Sequence, residues 1–283
     1  MAATILDGKA LAREIRDNLR KQVKSLTEKP GLAVITVGND PASQLYVGGK
    51  EKAGIGAGYH FVWKKYKEDT DEITLLSEID KLNQDKKIHG MIVQLPLPKH
   101  LSPFLIIDAI RQEKDADGFH PLNLANLFLG RDAILPATPK GIMRILEHYN
   151  IPLAGKHAVV IGRSNIVGKP IAFLLLQKDA TVTMCHSMTA DLAALTRQAD
   201  IIVAAVGKAW LVKKDMVKQG AVVIDVGMNK KGDKIIGDVA YDEVKEVASA
   251  ITPVPGGVGP MTIAMLLENT LKCMEVQKKL STR

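Results

Sequence analysis

From residue 156 onward the chain repeats one pattern, a short apolar run followed by a segment long enough for a helix. KHAVVIG, KPIAFLLLQKD, ATVTMCHS, DLAALTRQ, DIIVAAVG and AVVIDVG follow one another. Unbroken apolar runs of this length are strands buried on both faces, and helix-length connections between them make the strands parallel. The expected fold class is therefore α/β, built from βαβ units. The first half shows a looser form of the same pattern. GLAVITVG (31–38) and HGMIVQLPLP (89–98) read as buried strands, with amphipathic stretches at 41–53 and 72–85 between them. LPATPKGIMRILEHY (135–149) has two prolines and a glycine leading into a helical pattern, which marks a domain boundary. The expected division is 1–137 and 138–260. The long amphipathic segment 261–283 is expected to pack back on the first domain.

A chain of 283 residues with 46% apolar content has ample core for one large or two medium domains. No apolar run reaches membrane-spanning length, and the N-terminus lacks the pattern of a secretory leader. The two cysteines, Cys185 and Cys273, form neither a metal spacing nor a disulfide framework. That usage fits a reducing, cytoplasmic setting. The net charge of +7 is compatible with a solvated basic surface, an anionic small ligand or nucleic acid, in that order. Aromatic content of 4% leaves few stacking platforms, so no nucleic-acid partner is expected.

Two stretches carry chemistry. The strand KHAVVIG ends in Gly162, Arg163 and Ser164, and Gly168 follows. A glycine turn between a strand and a helix N-terminus is an anion site, although G-x-S-x-x-x-G departs from the usual dinucleotide fingerprint and also fits an ordinary βα turn. The next strand ends in Cys185-His186-Ser187 rather than a carboxylate. A hydroxyl there, with Arg163 beside the turn, favours NADP over NAD. In the first half, Asp40-Pro41 is a helix start, and Ser43, Tyr46 and Lys50 then share one helix face. By residue type alone Lys50 reads either as a solvated helix lysine or as a reactive one. GIGAG (54–58) reads as the end of that helix and not as a phosphate loop. Gln94 sits at a strand end in VQLPLP, and Asp117 in the polar turn KDADGFHP. PVPGGVGPMT (253–262) is a loop whose glycines let backbone approach a flat ligand.

Six motifs in order, DPASQLYVGGK, GMIVQLPLP, KDADGFHP, GRSNIVGKP, TVTMCHS and PGGVGPMT, make the whole chain resemble the bifunctional methylenetetrahydrofolate dehydrogenase/cyclohydrolase family of the FolD type. The resemblance implies an N-terminal α/β catalytic domain, a C-terminal Rossmann-type NAD(P)-binding domain and an active-site cleft between them. It implies oxidation of 5,10-methylenetetrahydrofolate with NADP, then hydrolysis of the methenyl product to 10-formyltetrahydrofolate, with no metal. Lys50 is then the acid/base of hydrolysis and Gln94 its partner. Tyr46 stacks on the folate, Ser43 supports that helix face, and Asp117 pairs with the pterin amidine edge. Pro255, Gly256 and Gly257 line the folate pocket. Gly162, Arg163 and Ser164 hold the cofactor, with Ser187 near its 2′-phosphate and Met228 an apolar contact. The partners implied are tetrahydrofolate derivatives, including polyglutamylated ones whose anionic tails match the basic charge, and a second copy of the chain in a homodimer.

The chain departs from the family pattern at Gly48 and Gly49, where bulkier residues are usual, at Ala137, where cysteine is frequent, and at Met188, where a basic residue is common. The first departure is expected to loosen the catalytic helix, and the last removes a phosphate contact. The competing readings are a dehydrogenase with weak cyclohydrolase action, a nucleic-acid binder, and an NADP oxidoreductase for another small molecule.

Overall fold

The computed structural model describes residues 3–232 and 234–281. These fall into two compact units, each assembled from two stretches of chain: 3–12 with 138–262, and 13–137 with 263–281.

The first unit is built on a six-stranded sheet: β1 (Thr4–Ile5), β5 (His157–Ile161), β6 (Thr181–Cys185), β7 (Ile201–Ala204), β8 (Val222–Asp225) and β11 (Ala250–Ile251). The order is β1-β11-β8-β7-β5-β6, and every pairing is parallel. All four residues of β7 and of β8 are buried, as expected for strands covered on both faces. β6, at the edge, is half-exposed. The chain passes from β5 to β6 on one side and then crosses back from β6 to β7 on the other side of β5. This is the switch point where open parallel sheets place ligands, at the carboxyl ends of the strands. An antiparallel hairpin, β9 (Asn229–Lys231) with β10 (Lys234–Ile236), follows β8.

The structure departs from the expected 1–137 domain at its start. β1 pairs with β11, Thr4 N donating to Ser249 O and Leu6 N to Ile251 O. Residues 3–12 therefore belong with the six-stranded sheet. A two-residue strand offers no periodicity from which this could be read.

The second unit holds a three-stranded parallel sheet, β3-β2-β4, made of β2 (Gly31–Val37), β3 (His60–Tyr66) and β4 (Gly90–Val93). Helix α1 (Gly8–Lys24) precedes it, α2 (Pro41–Gly56) joins β2 to β3, and α3 (Glu72–Gln84) joins β3 to β4. β2 is buried along all seven residues, and its Ala33, Ile35 and Val37 pack with Leu75, Ile79 and Leu82 of α3. The Asp40 carboxylate accepts from Ser43 N at 2.8 Å, and Pro41 occupies the first helical position, so α2 starts where the sequence indicates. Gly48 and Gly49 do not interrupt it. GIGAG closes the helix: Ala57 N donates to Ala53 O and Gly54 O, and Gly58 turns the chain at φ +85°. Residues 263–281 of the C-terminal helix Val258–Ser281 complete this unit, and Tyr59 Oη donates to Leu267 O at 2.8 Å.

Candidate active site

The side chains that converge in the second unit are Lys50, Tyr46, Gln94 and Asp117. Lys50 lies in the middle of α2, only 4% exposed. Its Nζ donates to Gln94 Oε1 at 2.9 Å and stands 5.2 Å from the centre of the Tyr46 ring, one helical turn back. Gln94 follows β4, its backbone N–H held by Ile35 O. Its Nε2 donates to Leu95 O at 2.7 Å, ahead of a cis Leu95–Pro96 bond. With the amide nitrogen committed to that carbonyl, the amide oxygen is left facing Lys50. Ser43 sits half-buried in the first turn of the same helix, its backbone N–H taken by the Asp40 cap.

KDADGFHP contains two carboxylates with different work. Asp115 is buried and accepts from Gly118 N, His120 N and Asn123 Nδ2 at 2.8–3.0 Å, which fixes the turn. Asp117, half-buried, is the one that faces the lysine electrostatically. Burial raises its pKa to about 6; the Lys50 charge opposes that rise and Asp115 adds to it. Burial also lowers the pKa of Lys50, against the pull of Asp117. Both shifts have the same leading cause, and both move the pair towards its uncharged forms. A lysine whose pKa is lowered in this way is a better proton acceptor near neutrality than a solvated one. Asn269 Nδ2 braces the turn from the C-terminal helix, donating to Ala116 O and Leu135 O.

In the first unit, Gly162 follows β5 at φ +126°, and a Cβ there would lie 2.3 Å from Ala205 O, just past β7. The missing side chain is what lets these two strand ends meet. A Cβ on Gly168 would in turn lie 2.2 Å from Gly162 O, so the helix Gly168–Leu176 begins tight against the turn. Ser164 Oγ accepts from Val167 N and Gly168 N, each at 3.2 Å. The serine that stands in place of the second glycine therefore occupies two amides at the helix start. Arg163 is exposed beside it. After β6, His186 Nδ1 accepts from Met188 N, which makes His186 part of the turn, while Ser187 and Met188 are exposed. No carboxylate stands at this strand end. The cradle and its exposed cation and hydroxyl fit a phosphorylated dinucleotide. Met228 is half-exposed past β8. Pro255–Gly257 follow β11, with a cis Val254–Pro255 bond, and Gly256 O accepts from Lys9 N.

The family profile of the tetrahydrofolate dehydrogenase/cyclohydrolase catalytic domain matches residues 6–117, and that of its NAD(P)-binding domain matches residues 136–278. The chain belongs to the tetrahydrofolate dehydrogenase/cyclohydrolase family. It is 53% identical to the bifunctional protein FolD of Halalkalibacterium halodurans over 96% of this chain and 99% of that one. The structure of the bifunctional FolD enzyme of Campylobacter jejuni superimposes with a TM-score of 0.95 at 49% identity, covering 98% of this chain and 100% of the other. The Trypanosoma brucei dehydrogenase-cyclohydrolase, solved with NADP cofactor and inhibitor, matches with a TM-score of 0.95 at 37% identity over 98% and 99% of the two chains.

Two buried carboxylates of this family member were not singled out from its sequence. Asp225, at the end of β8, accepts from Gly227 N, Asp238 N and Val239 N. Asp238 accepts from Val206 N, Gly207 N and Asn229 Nδ2. Together they tie the loops that follow β7 and β8 to the strand end beyond β10. The signal was an acid ending a fully apolar run in AVVIDVG, followed by a second acid after a glycine in GDVA.

Proposed function

We propose that the protein oxidises 5,10-methylenetetrahydrofolate to the 5,10-methenyl form with NADP and hydrolyses that product to 10-formyltetrahydrofolate. The observation that carries the reading is the buried Lys50 amine held on Gln94 Oε1 at 2.9 Å, with Tyr46 and Asp117 beside it. NADP, when bound, supplies the hydride acceptor at nicotinamide C4. Gly162, Arg163 and Ser164 hold it, Ser187 serves the 2′-phosphate, and Met228 gives an apolar contact. Tyr46 stacks on the folate rings. Asp117 accepts two parallel N–H bonds from the pterin amidine edge, a geometry that suits a carboxylate. Pro255, Gly256 and Gly257 contribute a wall of the folate pocket, and Ser43 supports the Tyr46/Lys50 face.

In the hydrolytic step, neutral Lys50 takes a proton from the water that adds to the methenyl carbon. The ammonium then returns that proton to N5 as the carbon–N5 bond breaks, and the carbinol proton leaves to solvent. Gln94 Oε1 holds one amine N–H throughout, which directs the lone pair. Retention of Lys50 with Gln94 favours the bifunctional reading over a dehydrogenase with weak hydrolysis. The buried, free thiols of Cys185 and Cys273 suit a reducing cytoplasm. The working form is a homodimer, as the resemblance implies, and light scattering of purified protein tests that.

The first test is incubation with 5,10-methylenetetrahydrofolate and NADP or NAD, following nucleotide reduction and methenyl decay together, with Lys50→Met in parallel. NADP reduction in both proteins, with methenyl decay lost only in the variant, is the expected outcome. No nucleotide reduction by folded wild-type protein would overturn the dehydrogenase assignment.

A further inference from the structure

Away from Lys50, α1 and α2 flank an open groove. Arg13, Arg16 and Arg20 lie on one face of α1, spaced three and four residues apart. They face Gly49 and Lys52 of α2 across a groove of about 350 Å³, which Asp17 also lines. The groove is open because position 49 carries no side chain: from a Cβ built there, the nearest atom is Ile263 Cδ1 at 3.5 Å. Four cations thus meet one carboxylate. Arg20 Nε is committed to Gly56 O at 2.6 Å. Arg13 Nε reaches Asp17 only at 4.0 Å, between two exposed side chains, a contact of little strength. Arg16 is half-buried and makes no hydrogen bond or ion pair among the described residues; Asp17 attracts it and Arg13 repels it. A guanidinium partly removed from water, with none of its five donors in a hydrogen bond among the described residues, is a receptor group for an anion.

The shape narrows the ligand class. From Arg13 to Arg20 the cations are strung over about 10 Å of helix and do not converge on a point. A single phosphate meets one of them, whereas a flexible chain with a carboxylate on each unit meets them in turn. The wall opposite is the same helix that carries Tyr46 and Lys50, and Tyr46 to Lys52 is about 9 Å along its axis. We propose that this groove binds the γ-linked glutamyl chain of polyglutamylated folates, with Arg16 pairing with one of its α-carboxylates. The proposal rests on the folate reading above. A tail tethered to a bound pterin reaches the groove at high local concentration, so modest contacts there add to affinity.

Two measurements test this on the intact protein. In the first, a free γ-linked pentaglutamate peptide, without a pterin, is titrated into the protein at low salt. Saturable binding that Arg16→Gln abolishes, that Asp17→Asn strengthens and that salt weakens supports the proposal. No binding, equal binding by Arg16→Gln, or displacement by inorganic phosphate at the peptide's own concentration overturns it. In the second, KM is compared for mono- and pentaglutamyl 5,10-methylenetetrahydrofolate. Wild type is expected to favour the pentaglutamate by about tenfold or more, and Arg16→Gln to lose that preference with monoglutamate kcat and KM unchanged. Arg13→Gln, at an exposed position, provides a variant with little folding risk and a smaller loss in the same direction. Turnover of the monoglutamate without any chain-length advantage refutes the groove and leaves the folate reading standing. Peptide binding without any turnover supports the groove as a polycarboxylate site and refutes the folate reading.

Discussion

Replacing Gln94 by leucine removes one acceptor from Lys50 while leaving the backbone in place, because Gln94 N is held by Ile35 O whatever the side chain. Leucine fills a similar volume but offers nothing to the Nζ–H that now sits 2.9 Å from Oε1. Lys50 is only 4% exposed, so water has little room to substitute. Leaving a buried donor unsatisfied costs about 1–3 kcal/mol. If that cost falls on the transition state of hydrolysis, the rate drops by about 5- to 150-fold, at 1.4 kcal/mol per decade. The acceptor also favours the ammonium over the amine, so its loss lowers the Lys50 pKa further. The acid limb of the hydrolysis profile is then expected to move to lower pH even as the plateau falls. Hydride transfer needs orientation of folate and nicotinamide, not this proton, and should change by less than about threefold. Stopped-flow decay of methenyltetrahydrofolate over about pH 6–9, beside NADPH formation, reads all three quantities. A variant with wild-type decay and an unmoved acid limb would refute the argument that Gln94 tunes Lys50.

Other substitutions follow from the same geometry. Asp117 has its pKa raised to about 6, so its contribution to stability is full below the ordinary carboxylate range near pH 4 and is lost as pH rises through about 6. Asp117→Asn should therefore melt higher than wild type at about pH 7.5, by the equivalent of about 1–2 kcal/mol, with the gap closing towards pH 4, while KM for the folate rises about tenfold or more. Gly162→Ala places a Cβ 2.3 Å from Ala205 O at φ +126°; calorimetry should show a loss of about 2 kcal/mol or more, and titration a loss of NADP affinity. With Ser187 beside the 2′-phosphate as proposed, Ser187→Asp should raise KM for NADP about tenfold and leave that for NAD little changed. Gly48 has no atom within 4 Å of a built Cβ, so Gly48→Ala should stabilise α2 by about 1 kcal/mol in denaturant titration without altering either rate.

Strands such as β2 and β8 were legible because burial on both faces leaves continuous apolar runs. β1 was not, since two residues carry no period and its partner lies at the far end of the chain. Tyr46 and Lys50 could be paired from helix geometry, one turn apart on α2. Lys50 and Gln94 are 44 residues apart, and only the resemblance joined them. Spacing could not tell which carboxylate of KDADGFHP holds the turn and which faces the lysine; the three donors on Asp115 decide it. Ser164 departs from the glycine fingerprint, and residue type does not show that its hydroxyl closes the helix start. Gly48 and Gly49 leave the form of α2 intact, with Val47 and Lys50 buried on either side; what they cost is stability, which the Gly48→Ala substitution reads. Asp225 and Asp238 escaped notice because their partners are mostly backbone amides, which leave no mark on residue type.

The division of each unit between two chain segments has a consequence for synthesis. The turn bearing Asp117 is braced by Asn269, 153 residues downstream of Ala116. A nascent chain that has emerged only as far as β4 lacks the C-terminal helix whose Gln277 donates to His89 O beside that strand, and it must wait through the entire six-stranded sheet for it. β1 waits likewise for β11 before its own backbone is paired. The cofactor-type sheet thus closes before the catalytic unit is complete, although most of the catalytic unit leaves the ribosome first. Pulse proteolysis of stalled nascent chains should find residues 13–137 cleavable until the segment beyond residue 263 has emerged, and any fragment cut at the domain boundary should inherit that weakness.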